Sequence, residues 1–180
     1  MPANTDPMSG SGTAGRQLAG PARQALALAG FLALSLAAWA LASIPIILHT
    51  GGWFAGSIKA PWMPPSWMFR TMWTLLYAGV AVAAWLVWRK GELTGSNLAG
   101  YVAQLVLNAA WPLAFFGLFP VFGTAALWAA FLVIAGLAAS LAFLIVRFGP
   151  LSPAAGLLML PYFSWIVFSS SLNLYSAIHN

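Results

Sequence analysis

KAPWMPPSWMFRTMWTLLY, residues 59–77, joins two backbone regimes. In the first half Pro61, Pro64 and Pro65 fix φ and withhold backbone donors, so the chain runs extended and stiff. From Trp67 onward the breakers stop and Arg70 is the sole charge, the pattern of a helix entering hydrocarbon. The stretch therefore reads as a lid followed by the mouth of a membrane helix. The rest of the chain has to supply the walls beneath it.

Composition agrees with that reading. Hydrophobic residues make up 62% of the 180, charged residues 5%, and mean hydropathy is +0.88, more apolar surface than a water-soluble domain can bury. The net charge of +5 rests on seven Lys and Arg, too sparse for a nucleic-acid surface and better suited to marking topology. Without Cys there are no disulfides, thiolate metal sites or thiol nucleophiles. The expected class is an all-α integral membrane protein.

Residues 1–21 are rich in Gly, Ser, Ala and Pro and show no periodic apolar face, the composition of a disordered tail. The transmembrane domain, 22–180, divides into five spans at about 24–48, 67–88, 98–118, 124–147 and 153–176, with the lid loop at 49–66. The first span would rise roughly 37 Å as helix. A signal peptide is its rival, because Ala40 and Ala42 imitate a cleavage site, but the apolar run continues from Ile44 to Leu48. Gly117 and Pro120 end span three, and Phe148–Ser152 reads as the tight turn between spans four and five.

With five spans the cations sort unequally. Arg16, Arg23, Arg89, Lys90 and Arg147 fall on one side, Lys59 and Arg70 on the other, so the positive-inside rule puts the N-terminus in the cytoplasm and the aromatic loop outside. The expected location is a bacterial cytoplasmic membrane, though the rule does not discriminate against an outer membrane.

Polar residues inside spans need partners that hydrocarbon cannot supply. Gln104, Asn108 and Trp111 share one face of span three; Trp165, Ser169 and Asn173 recur every four residues in span five; Trp73 and Tyr77 do so in span two. These three faces are expected to meet. Plain interhelical hydrogen bonding is the alternative, at about 0.6 kcal/mol each on average. Trp67, Trp85, Trp88 and Trp128 lie near span ends and suit the headgroup belt, whereas Trp73, Trp111 and Trp165 lie deeper. His49 and His179 lie beyond span ends, where a solvated or interfacial histidine is the simpler reading than a metal ligand. Small residues in spans three and four permit close helix contacts within or between chains.

Several motifs together resemble the tryptophan-rich sensory protein and translocator protein (peripheral-type benzodiazepine receptor) family. They are Trp53-Phe54, K-x-P-W-x-P-P at 59–65, W-x-F at 67–69, W-T-x-L-Y at 73–77, Q-L-x-L-N-x-x-W-P at 104–112 and P-Y-x-x-W at 161–165 with Leu172 and Asn173. The resemblance covers about 53–180, four of the five spans. It implies a five-transmembrane-helix bundle, commonly a homodimer, that binds porphyrins or other tetrapyrroles and in some members sterols or benzodiazepine-type ligands, with no tightly bound cofactor. Carried onto this chain, it makes Trp53, Phe54 and Trp62 the lid, and Trp73, Tyr77, Asn108, Trp165 and Ser169 the walls, with Trp111 and Asn173 at further motif positions. Light-dependent porphyrin degradation, tied to Trp73 and Trp165, is an alternative the resemblance brings.

There are two departures. The family places proline directly after the lid lysine, whereas Ala60 intervenes here before Pro61. A proposed sterol motif needs Lys or Arg after its Tyr, and none follows Tyr175, so sterol recognition through that motif is unsupported.

The residues themselves point the same way. A tetrapyrrole is a flat aromatic bearing carboxylates and asks for aromatic faces, polar orienters and a rim cation. Trp73, Tyr77 and Trp165 can supply faces, Asn108 an orienter, and Lys59 or Arg70 a counter-ion. Ordinary acid–base or metal catalysis is disfavoured, because the side-chain carboxylates are only Asp6 and Glu92. Active transport lacks an intramembrane coupling charge, while passive flux of a lipophile remains a reading.

Overall fold

The computed structural model describes residues 20–180; the tail assigned to 1–21 lies almost wholly outside them, and Pro21 already belongs to the first helix. The long helices are α1 (Pro21–His49), α3 (Ser66–Arg89), α4 (Gly95–Pro112), α6 (Thr124–Leu151) and α7 (Pro153–His179), with single-turn helices α2 (Trp53–Gly56) and α5 (Phe119–Phe122) between them. All five long helices, α4 together with the turn that extends it to Gly117, are long and apolar enough to cross a membrane.

Their packing closes a ring. α1 lies against α3, α3 against α7, α7 against α6, α6 against α4, and α4 against α1. Ala81, Ala83 and Ala84 give α3 a small-residue inner surface that is fully buried, and Leu127, Ile134, Leu141 and Leu144 do the same for α6 with larger side chains. α1 is the least embedded, with only Ser35 and Ala42 buried.

Local chemistry explains where the helices break. Pro112 cannot supply the N–H that the Asn108 carbonyl would accept, and the ladder slips into a π-helical turn at Leu113–Gly117, closed by Leu118 N–H to Leu113 O at 3.0 Å. That slip turns Phe115 and Phe116 inward, where both are buried. The turn expected at Phe148–Ser152 is shorter than the Gly149-Pro150 pair suggests. α6 stays helical to Leu151, and Ser152 alone reverses the chain, its Oγ accepting the Ala155 N–H at 3.3 Å with Pro153 opening α7. The reversal is tight enough that a Cβ on Gly156 would stand 2.8 Å from the Gly149 Cα.

Within the 49–66 loop, Trp53–Gly56 forms the single turn α2, ahead of the proline segment. The displaced Pro61 has a definite place: it follows Ala60 in a β-turn closed by Met63 N–H to Ala60 O at 3.0 Å, the position where its fixed φ is favourable. Ala60 is buried by that turn and Trp62 is thrown outward.

Candidate ligand site

The interior of the ring is crossed by side chains that meet both between neighbouring helices and across the ring, α4 to α3 and α4 to α7. Trp73 of α3 stacks on Trp111 of α4 at a centroid distance of 6.5 Å and 27°, and meets the edge of Tyr162 of α7 at 6.3 Å. Tyr77 lies one turn deeper, 6.0 Å from Trp73. The Asn108 amide donates to the Tyr162 hydroxyl, which in turn faces Gln104 Oε1 at 3.4 Å. Trp111 Nε1 donates to Asn173 Oδ1 at 2.8 Å, and Asn173 Nδ2 donates to the Leu127 carbonyl at 2.9 Å. The three faces expected to meet thus lie together in one interior.

The groups divide into those that hold the walls and those that are unpartnered. Asn173 is engaged on both sides of its amide and Trp111 is tied to it, so both brace α4, α6 and α7. In contrast, Tyr77 OH, Gln104 Nε2, Trp165 Nε1 and Ser169 Oγ are buried without a hydrogen-bond partner. Such atoms cost about 1–3 kcal/mol each when nothing satisfies them, and these four lie on three facing helices, α3, α4 and α7. Trp165 faces Phe69 at 5.4 Å and Phe168 at 5.5 Å, in the same apolar cluster as Trp73 and Tyr162.

The lid residues pack more deeply than a flap would. Trp53 stacks on Phe119 at 3.7 Å and donates from Nε1 to the Phe116 carbonyl at 3.1 Å, while Phe54 meets Phe116 edge-on at 5.2 Å. Together with Phe115 they form a second apolar cluster that stops this end of the ring. Trp62 is half exposed; its Nε1 donates to Ser171 Oγ at 3.2 Å and its ring meets Tyr175 at 5.3 Å.

The two cations considered for the rim differ. Lys59 Nζ donates to the carbonyls of Phe54, Ala55 and Ser57 at 2.7, 3.1 and 3.1 Å and sits 4.9 Å over the Phe54 ring, capping the C-terminal end of α2. Its charge is therefore committed to the loop. Arg70 is exposed, one turn into α3.

Four participants went unassigned in the sequence. Tyr162 falls on the same α7 face as Trp165 and Ser169, at a three-residue step that a strict four-residue count from Pro161 passes over. Gln104 was visible on the polar face of span three without being placed in the site. The inward turn of Phe115 and Phe116 depends on the helix slip after Pro112, which only the backbone reveals.

Five spanning helices closed around an aromatic and amide interior, and stopped at one end by an aromatic loop, define a polytopic membrane protein of the sensor or translocator type. The chain belongs to the TspO/MBR family, whose match covers residues 29–178. It is similar to the human translocator protein, with 36% identity over 129 residues, 67% of this chain and 70% of that protein. The tryptophan-rich protein TspO of Chlorobaculum tepidum is 33% identical over 159 residues, 84% of this chain and 94% of its own length. The tryptophan-rich sensory protein of Cereibacter sphaeroides is 32% identical over 143 residues, 79% and 86% respectively.

Proposed function

We propose that the chain binds a porphyrin or related tetrapyrrole inside the helix ring and acts as a membrane sensor, regulator or carrier for it. The observation that carries this reading is the set of unpartnered buried polar atoms on Tyr77, Gln104, Trp165 and Ser169, in the same interior as the Trp73 and Trp165 ring faces. A macrocycle lying against those rings presents ring nitrogens and carboxylates to these groups, and Arg70 is the rim cation for a carboxylate. Stacking on one indole contributes about 0.5–1.5 kcal/mol beyond area burial, so two contacts shift affinity by roughly one to two decades. Access requires the loop to lift, because Trp53 and Phe54 fill that end.

Titration of the purified protein with protoporphyrin, followed by tryptophan quenching, tests the reading. Trp73→Phe combined with Trp165→Phe is expected to weaken binding by about tenfold or more. Unchanged affinity and quenching in that double variant would refute this placement.

A further inference from the structure

We infer that the ring interior selects its ligand by an uncharged carbonyl on the edge that enters deepest, and that Gln104 and Trp165 are the specificity-determining residues that read it. This rests on the tetrapyrrole reading and narrows it to a tetrapyrrole, cyclic or open-chain, with a ketone, aldehyde or lactam oxygen on the edge away from its carboxylates.

The direction of one hydrogen-bond chain sets the polarity of the site. The Asn108 amide donates to the Tyr162 oxygen, so the Tyr162 proton goes to Gln104 Oε1, and the amide nitrogen of Gln104 is the end left over. That nitrogen is unpartnered in a side chain that is fully buried. Trp165 lies three residues beyond Tyr162 on the same side of α7, and its buried indole N–H has no acceptor either. Both groups can only donate. Ser169, one turn further along α7, adds a third donor. Its neighbours Ser170, Ser171 and Ser176 return their hydroxyls to carbonyls of the preceding turn at 2.7 to 3.0 Å, whereas the Ser169 hydroxyl is buried without a partner. Donors left over on α4 and α7 call for acceptors that the ligand brings.

Charge narrows the acceptor. Trp165 stands about 18 Å from the start of α7 and about 21 Å from its end, near the middle of a bilayer. Among the described residues every Lys and Arg lies toward an end of the ring, so none is level with these donors. A carboxylate carried to that depth would be buried without a counter-ion, and its place is the rim, where Arg70 stands. The ring nitrogens of a macrocycle point into its own centre and are reached only across its face. An uncharged carbonyl on the outer edge has two lone pairs in the plane of the ligand and needs no counter-ion.

The test uses the full chain in phosphatidylcholine nanodiscs and two porphyrins, mesoporphyrin and diacetyldeuteroporphyrin. They share both propionates and differ in carrying two ethyl or two acetyl groups on the opposite edge. Titration followed by tryptophan quenching is expected to show the diacetyl compound binding roughly three- to tenfold more tightly. Gln104→Leu and Trp165→Phe, the second of which keeps a ring face and removes only the donor, should each bring that ratio toward one; Ser169→Ala should lower it less. The ratio is the readout, so a general loss of affinity does not imitate the effect, and if Gln104→Leu fails to fold, Trp165→Phe carries the test. Equal affinity of the two porphyrins for the wild type, or a preference that survives in Trp165→Phe, overturns the inference and leaves the tetrapyrrole reading standing. Absence of saturable quenching by either porphyrin overturns both.

Discussion

Trp111 and Asn173 are joined across the ring by an indole N–H to amide hydrogen bond of 2.8 Å, although α4 and α7 are separated on the perimeter by α6. Asn173 completes the brace by donating to the Leu127 carbonyl of α6 at 2.9 Å. One amide thus fixes the relative positions of three helices. Replacing it with Leu removes both bonds and leaves the indole N–H unpaired in an interior without bulk water. Asn173→Leu is expected to destabilise the protein by about 1–3 kcal/mol, and Trp111→Phe, which removes only the donor, should cost less through that bond. Melting followed by circular dichroism in detergent ranks the two; an Asn173→Leu variant as stable as wild type would show the brace to be incidental.

The α6–α7 reversal makes a sharper steric claim. A Cβ on Gly156 would meet the Gly149 backbone at 2.8 Å, whereas one on Gly100 would meet the side chains of Phe143 and Leu144 at 2.9 and 3.1 Å. Backbone cannot rotate aside, and side chains can. Gly156→Ala should therefore lose about 1–3 kcal/mol by forcing the helices apart, with Gly100→Ala clearly milder. Equal melting temperatures for the two alanine variants would contradict the close approach.

Much of this architecture was legible because hydrocarbon imposes simple demands. Runs of apolar residues long enough to cross a bilayer gave the five helices, and the polar stripes through Asn108, Ser169 and Asn173 pointed inward because nothing outside could satisfy them. What stayed hidden was the use to which each polar group is put. Lys59 looks free in sequence, yet it donates to the carbonyls of Phe54, Ala55 and Ser57 at the end of a single helical turn too short to carry a periodic signal. Asn173 and Ser169 look equivalent at their four-residue spacing, but one is fully bonded and the other is not.

Loop closure depends on a second amide. Asn180 Oδ1 accepts the Ile58 N–H at 2.7 Å and its Nδ2 donates to the Ile58 carbonyl at 3.1 Å, pinning the middle of the lid to the end of α7. Trp62 adds a separate tie to Ser171. Asn180→Ala is expected to speed hydrogen exchange of the Ile58 amide by roughly tenfold and to raise ligand association and dissociation rates together. Mass-spectrometric exchange on the 53–66 peptide measures the first effect, stopped-flow quenching the second. A lid with wild-type exchange in the Asn180→Ala protein would mean that the aromatic plug alone holds it.

Orientation can be tested with unusual economy because the chain has no Cys. Arg23, Arg89, Lys90 and Arg147 cluster at one end of the ring, where Trp85 donates to the Gln24 carbonyl at 3.0 Å and Arg147 Nε to Asn97 Oδ1 at 3.0 Å. Lys59 and Arg70 lie at the other end, on the lid loop and in the first turns of α3. The positive-inside rule turns this asymmetry into a prediction that the basic end faces the cytoplasm. Thr94 and Ala55 are exposed positions on the two sides. In intact cells an impermeant maleimide should label Ala55→Cys and spare Thr94→Cys, and in inverted vesicles the pattern should reverse. The opposite result would place the lid in the cytoplasm, so that a ligand would reach the aromatic plug from inside the cell.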